Sequence, residues 1–146
     1  MLRGNYTTRI DEKGRIKIPA TLRDIIQQKY GSEFFVTSID GDHARLYPLP
    51  EWAKIEEKLA QLPEMEPIKE KFELRASWYG RPATMDAQGR ILIHPSLRTK
   101  ADLNGDVAVL GCRTYLQVWN HEKAEARVRA EAFTNEDFAA IARLGI

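Results

Sequence analysis

Arginine follows glycine at two tight turns of this chain, in the stretches "DEKGR" and "DAQGR". Both belong to a longer pattern, "DEKGRIKIPATLR" from Asp11 to Arg23, which recurs 75 residues later as "DAQGRILIHPSLR". Arg15 and Arg90 are therefore predicted to project from rigid, exposed turns. A planar and permanently charged guanidinium group suits phosphate oxygens or the O6 and N7 edge of guanine. The chemistry that this spacing favours is the binding of nucleic acid.

The aspartate that opens each stretch allows a second interpretation. Asp11 and Asp86 could each form an internal ion pair with the arginine four residues later, while Gly14 and Gly89 provide the positive φ that the turn requires. Both interpretations hold together if the aspartate orients an arginine that still reaches DNA. No nucleophile or base motif accompanies the two carboxylates, so we expect them to orient the turns and not to catalyse a reaction.

Positive charge is concentrated in the two segments that contain the pattern. Residues 1–30 contain seven Lys and Arg against three acidic residues, and residues 75–100 contain five against one, although the whole chain has a net charge of only +1. Such clustering is typical of a protein that binds a polyanion, although a solvated basic face is the simpler alternative. Arg23 and Arg98 could contact phosphate or merely solvate a helix, and the sequence leaves this open. The further candidate DNA contacts are Arg3, Arg9, Lys13 and Lys17.

Composition and motifs exclude several classes of protein. The chain is 43% hydrophobic and 29% charged and has no apolar run of the roughly 20 residues that a membrane span needs. A single cysteine, Cys112, rules out an internal disulfide and fits a reducing cytoplasm. The histidines lack zinc-type spacing, and no glycine-rich phosphate loop or nucleophile motif is present. We expect a cytoplasmic protein that is not an enzyme and has no metal, cofactor or small-molecule substrate.

The elements that position the arginines are predicted to occur twice. In each repeat, strands flank the turn as a hairpin, a short helix follows the proline, and two further strands and a helical segment complete the unit. The sequence thus predicts an α+β fold, in which aromatic residues pack helices onto the sheet: Tyr47, Trp52, Phe72, Trp78 and Trp119. The expected units are a first repeat over 1–60, a connecting helix over 61–77, a second repeat over 78–123 and C-terminal helices over 124–146.

The duplication has a physical reason. A unit of about 50 residues buries too little surface to be stable alone. Two units can cover each other's hydrophobic faces around a pseudo-twofold axis, which would also bring the two turns into related positions.

Three stretches, "RGNYTTRIDEKGRIKIPATLR", "LYPLPEW" and "DAQGRILIHPSLR", resemble the MraZ family of bacterial transcriptional regulators over nearly the whole chain. The resemblance implies two swapped-hairpin repeats of the SpoVT/AbrB type that form one β-barrel-like body with helices outside. It also implies a ring-shaped, octamer-type homo-oligomer that binds tandem short G-rich repeats in double-stranded promoter DNA and represses the division and cell wall gene cluster. The arginines of the two D-x-x-G-R motifs would contact the DNA, and Lys13 matches the lysine of the first motif.

Two features of the second copy depart from the first. It reads "IH" where the pattern continues "IP", which bears on the start of the short helix, and it has Leu92 in place of Lys17. The second loop is therefore expected to contribute less positive charge. Two functions of other classes remain as alternatives: an oligomeric protein-interaction module, and an antitoxin-like swapped-hairpin protein that neutralises a toxin through its C-terminal helix.

Overall fold

The computed structural model describes residues 1–146, which form eight strands and six helices. The strands are β1 (Leu2–Arg9), β2 (Arg15–Lys17), β3 (Glu33–Thr37), β4 (Ala44–Pro48), β5 (Arg81–Thr84), β6 (Arg90–Leu92), β7 (Asp106–Arg113) and β8 (Leu116–Asn120). The helices are α1 (Ala20–Lys29), α2 (Leu49–Gln61), α3 (Pro67–Tyr79), α4 (Pro95–Ala101), α5 (His121–Ala130) and α6 (Asn135–Arg143).

The strands form a six-stranded antiparallel sheet in the order β1-β7-β8-β4-β3-β5 and a two-stranded sheet of β2 and β6. The six-stranded order is symmetric about its centre. Each strand of one repeat has its equivalent in the other repeat at the same distance from the centre, so the pseudo-twofold axis lies between β8 and β4. The first strand of each repeat pairs with the other repeat, β1 with β7 and β5 with β3. The predicted α+β class is confirmed, but the six-stranded sheet is open at β1 and β5 and no closed barrel forms.

The prediction that the strands flanking each turn pair with each other as a hairpin is wrong. Both turns form, but β1 does not pair with β2, and Ile16 of β2 instead lies opposite Ile91 of β6. Each of these two isoleucines is completely buried. Because a three-residue strand has too few ladder bonds to be stable alone, pairing between the repeats satisfies both backbones and buries both apolar faces at once.

Alternation along the central strands builds two hydrophobic clusters, one on each face of the large sheet. Phe34 and Val36 of β3 point into the main core of 19 buried residues, which also contains the inward isoleucines of the small sheet. Phe35, between them, points the other way and stacks on Trp52 of α2 with ring centroids 4.7 Å apart. Helices α2 and α3 therefore cover the face that the small sheet leaves free.

The prediction that aromatic residues pack the helices is confirmed for Trp52 and wrong for Trp78. Trp52 is 6% exposed, whereas Trp78 is 77% exposed. The buried positions of α3 are Lys69 and Ala76, with half-buried Phe72 packed against the second cluster, and Trp78 lies outside this helical stripe. Trp119 stacks on the buried ring of His43, with the two ring centroids 4.4 Å apart.

Candidate nucleic-acid interface

The first turn is built by the carboxylate of Asp11. Its Oδ1 accepts hydrogen bonds from the backbone N–H of Lys13 at 3.0 Å and of Arg15 at 2.8 Å. Its Oδ2 accepts a third from Nε of Arg15 at 2.9 Å. Gly14 has a φ of +83°, which a residue with a side chain adopts only with strain. These hydrogen bonds all lie within five residues, so they follow from the local sequence.

The second turn repeats this arrangement atom for atom. Asp86 Oδ1 accepts from the backbone N–H of Gln88 and of Arg90, each at 2.9 Å, and Oδ2 accepts from Arg90 Nε at 2.8 Å. Gly89 has a φ of +79°. Gln88 thus takes part through its backbone, at the position that Lys13 occupies in the first turn.

The hydrogen bonds keep both aspartates ionised. The backbone N–H of Arg15 contributes most to holding the pKa of Asp11 below its ordinary value, and that of Arg90 does the same for Asp86. In both arginines the carboxylate binds only Nε, and the terminal guanidinium nitrogens make no hydrogen bond within the chain. The side chains are 27% and 31% exposed. The ion pair therefore forms and still leaves both terminal nitrogens of each arginine, with two N–H donors apiece, available to a ligand.

The two-stranded sheet brings the turn arginines onto one exposed face. In its register Lys17 lies opposite Arg90, and Arg15 lies opposite Leu92. Residues opposite each other in an antiparallel ladder share a face, so Arg15 and Arg90 are diagonal neighbours, about 7–8 Å apart at the backbone. We call Arg15, Lys17, Arg90 and Leu92 the basic face. The first loop contributes two cations to this face and the second loop only Arg90, as expected, but the ladder places Lys17 of the first repeat beside that arginine.

Each turn is also held by residues of the other repeat. The carbonyl of Gly14 accepts a hydrogen bond from Ile93 N–H at 2.9 Å, and the carbonyl of Gly89 accepts one from Ile18 N–H at 2.8 Å. The guanidinium of Arg98 lies so close to Gly14 that an added Cβ would stand 2.3 Å from its Cζ. These contacts place the short helix of the second repeat against the turn of the first.

Arg23 occupies the equivalent place on the second turn. Its side chain packs against Gly89, and its Nη1 donates to the carbonyl of Gln88 at 3.4 Å. The sequence did not decide whether Arg23 and Arg98 contact phosphate or only solvate a helix. In the structure each side chain packs against the turn of the other repeat. The signal was present in the equal spacing of "LR" after both turns, but nothing in the sequence indicates that each arginine serves the opposite repeat.

The remaining basic candidates lie at different distances from the basic face. Lys13 is exposed on the first turn itself. Arg9 ends β1 next to that turn and pairs with Asp106, Nη1 to Oδ1 at 3.5 Å. Arg3 lies six residues further back on β1, roughly 20 Å along an extended strand, so the structure does not bring it to the turns.

The change from "IP" to "IH" leaves the start of the short helix unaltered. Helix α4 begins at Pro95, the position equivalent to Ala20 in α1. His94 is the N-cap, and its Nδ1 accepts from the backbone N–H of Leu97 at 3.4 Å while Nε2 lies 2.6 Å from the carbonyl oxygen of Tyr79. Nε2 therefore carries the proton and donates to that carbonyl.

No group of three His, Cys, Asp or Glu side chains is placed to hold a metal ion. None of the six helices combines the length and the apolar character that crossing a membrane requires.

Comparison with known proteins places the chain in a family. A family model described as "MraZ protein, putative antitoxin-like" matches residues 1–75 and 82–144. A protein of Acidobacterium capsulatum named "Transcriptional regulator MraZ" is 49% identical over 146 residues, with both chains fully covered. Relatives with the same name from Koribacter versatilis and Escherichia coli are 44% identical over 147 residues with both chains fully covered, and 31% identical over 145 residues with 95% of each chain covered.

The duplicated fold, the basic face and the names of these relatives define a DNA-binding transcriptional regulator. The chain belongs to the MraZ family.

Proposed function

We propose that this protein is a sequence-specific repressor of the division and cell wall gene cluster, which binds tandem short repeats in double-stranded promoter DNA as a ring-shaped, octamer-type homo-oligomer. The observation that carries the proposal is the basic face, where two arginines on rigid turns and one lysine share a single exposed surface. On this proposal the protein acts in the cytoplasm, associated with the nucleoid.

The arginines of the basic face read the DNA. A guanine presents O6 and N7 in the major groove, and one arginine binds both atoms through two N–H groups. The carboxylate of Asp11 or Asp86 occupies Nε and leaves the terminal nitrogens for this contact, so it orients the arginine without competing for those donors. Because a preorganised side chain loses less conformational entropy on binding, the rigid turn strengthens the contact.

The surrounding lysines and arginines bind phosphate. Lys17 belongs to the basic face, beside Arg90, and Lys13 extends from the first turn, so both can contact the backbone of the DNA segment that the arginines read. Arg9 can add a contact if it exchanges Asp106 for a phosphate. Arg3 would reach only a more distant phosphate. Such contacts position the protein on the duplex but carry no sequence information.

The ring supplies most of the affinity. One subunit offers few cations in a chain with a net charge of only +1, so a single contact with DNA is expected to be weak. When neighbouring subunits bind successive repeats, each later contact forms at the high effective concentration that the ring imposes.

The test is fluorescence anisotropy on two labelled duplexes across a salt series, one from the region upstream of the protein's own gene and one scrambled. The wild-type protein is expected to bind the first duplex selectively and to lose affinity linearly in the logarithm of salt. The double variant R15A/R90A should lose the selectivity while its circular dichroism and gel-filtration volume stay unchanged.

The matched control removes two exposed cations far from the basic face. Lys54 and Arg129 each pair with a glutamate of their own helix, so K54A/R129A changes the net charge as R15A/R90A does. The control should keep wild-type selectivity. Selective binding by folded R15A/R90A, or an equal loss in both double variants, would refute the assignment of the basic face.

A further inference from the structure

A cavity of about 560 Å³ lies between α5 and the middle of the large sheet. Side chains of β4 and β8 contribute its floor, where Arg45 lies opposite Gln117 in the strand register. Ala44 and Leu46, on either side of Arg45, belong to the main core, so Arg45 points to the opposite face of the sheet. The volume is within the range of roughly 300–1,000 Å³ that is typical of small-molecule sites. The cavity and the basic face therefore lie on opposite sides of the large sheet.

The cavity corresponds to a place that an aromatic side chain fills in the first repeat. The fourth residue of α2 is Trp52, which packs against Tyr47, the fourth residue of β4, with ring centroids 5.0 Å apart. The equivalent fourth residues of α5 and β8 are Ala124 and Trp119, and both line the cavity. The second repeat thus has a methyl group where the first has an indole ring.

Arg45 presents an unpaired positive charge at the floor of the cavity. Its Nε donates to Nε2 of His43 at 3.4 Å, and its Nη1 donates to the hydroxyl of Tyr47 at 3.2 Å. Its Nη2 makes no hydrogen bond within the chain, and the half-buried guanidinium has no carboxylate within ion-pair distance. The ring of Tyr115, 5.6 Å from Cζ, offsets part of the cost of desolvating this charge. An anion in the cavity would offset more of it.

His43 is a second polar group of the lining that is not satisfied. It is 4% exposed, and because Nε2 accepts from Arg45, the proton is on Nδ1. This N–H makes no hydrogen bond, although Oδ1 of Asp40 is 3.4 Å away. Burial lowers the pKa of His43 below its ordinary value, and the carboxylate of Asp40 opposes this shift. The positive charges of Arg45 and Arg127 lower that pKa further, so both guanidinium groups lie near the ring.

The wall of the cavity combines one paired cation with open apolar surface. Arg127 of α5 pairs with Glu131, Nε to Oε1 at 3.1 Å. Val128 and Phe133 also line the cavity and are 75% and 58% exposed. The cavity therefore has a positive end near His43 and an apolar, partly aromatic wall.

We propose that this cavity binds an aromatic monocarboxylate, with the carboxylate on Arg45 and the ring against the apolar wall. Since Glu131 already neutralises Arg127, Arg45 is the lining cation without a carboxylate partner, and a single negative charge on the ligand would pair with it. A planar carboxylate also fits the geometry of a guanidinium group. This site goes beyond the proposed function and does not rest on it.

The test is isothermal titration calorimetry of the full-length protein with naphthoate. Saturable binding of one molecule per subunit is expected. Naphthamide has nearly the same shape without the charge, and it should bind about tenfold more weakly or worse, because hydrogen bonds to a charged group are the stronger ones. An absence of saturable naphthoate binding, or equal affinity for the amide, would overturn the proposal.

Three variants locate the binding site. Arg45→Met removes the charge at similar length and should weaken naphthoate binding by about tenfold or more. Ala124→Trp places in the cavity the side chain that the first repeat has at the equivalent position, and it should abolish binding. Arg129→Met is the matched control, because it removes a cation of the same helix that pairs with Glu125 outside the cavity. It should keep the wild-type affinity.

Glu131→Gln gives a readout that does not depend on loss of binding. It removes a negative charge from the lining and frees Nε of Arg127, so naphthoate should bind more tightly. Unchanged affinity in both Arg45→Met and Glu131→Gln would mean that naphthoate binds an uncharged apolar surface, and binding retained by folded Ala124→Trp would place it outside the cavity. Either result overturns the proposal. If Arg45→Met does not fold, naphthamide and Glu131→Gln decide.

Failure of this proposal can be told apart from failure of the proposed function. R15A/R90A changes the other side of the sheet, so it should bind naphthoate as the wild type does while losing operator selectivity. Loss of naphthoate binding in folded R15A/R90A would mean that the probe binds the basic face and would overturn the cavity as its site.

Discussion

Gly14→Ala tests whether the helix of one repeat holds the turn of the other. The substitution has two separate costs. At a φ of +83° an alanine is strained, by about 1–2 kcal/mol. The new Cβ would also stand 2.3 Å from Cζ of Arg98, where ordinary contacts begin near 3.4 Å. The guanidinium must therefore retreat by roughly 1 Å, and because Nε of Arg98 is buried, we expect about 1 kcal/mol more at the low end of overpacking costs.

Gly31→Ala is the matched control for the backbone term. Gly31 has a φ of +86°, nearly that of Gly14, and nothing lies within 4 Å of the position of an added Cβ. Subtracting its effect from that of Gly14→Ala leaves the cost of displacing Arg98. In an Arg98→Ala background that difference should vanish, which appears as a coupling between two residues 84 positions apart in the sequence.

The assay is urea unfolding followed by far-ultraviolet circular dichroism, with every variant at one protein concentration because assembly adds to apparent stability. The reasoning would be refuted if Gly14→Ala cost no more than Gly31→Ala. It would also be refuted if the extra cost persisted after Arg98 is truncated, since the overlap would then come from something other than its guanidinium.

Two further predictions concern charge. The folded-state pKa values of Asp11 and Asp86 are lowered, so their stabilisation is complete above the unfolded value of 3.8 and is lost as pH falls through the folded values. Urea unfolding between pH 2 and 6 should show this loss in the wild type and a smaller one in D11N/D86N; equal slopes would contradict it. On the basic face, Lys17→Leu should weaken operator binding and make the slope of log affinity against log salt shallower by about 0.9. Leu92→Lys should strengthen operator binding and make that slope steeper. Anisotropy titrations measure these slopes, and no change in either variant would place Lys17 away from the DNA.

Much of the secondary structure could be predicted because its causes are local. The alternation around Ile16 and Ile91 indicates strands with one buried face, and both residues are completely buried. The capping box at the start of α6 likewise joins residues only three apart, Thr134 and Asp137. The pairing of the strands was not predictable in the same way. An alternating pattern determines which face is buried and says nothing about which strand lies alongside.

In the candidate site, too, the local features could be predicted from the sequence and the contacts between the repeats could not. The turn from Asp11 to Arg15 closes within five residues, so the hydrogen bonds from aspartate to arginine follow from the motif. The position of Lys17 beside Arg90 depends on a ladder between residues more than 70 positions apart. That ladder brings a cation of the first loop beside the arginine of the second, which the sequence of neither loop indicates.

By itself, the amino-acid sequence determined the two repeats, their turns and the type of residue that each turn presents, because a turn and a strand face depend on neighbours a few residues away. Only the tertiary structure decided that β2 pairs with β6 and that Arg98 packs on Gly14. It also separated Arg3 from the turns and left α6 without a partner in its own chain. These outcomes depend on which of several similar apolar faces meet, and two repeats of one pattern offer the same faces twice.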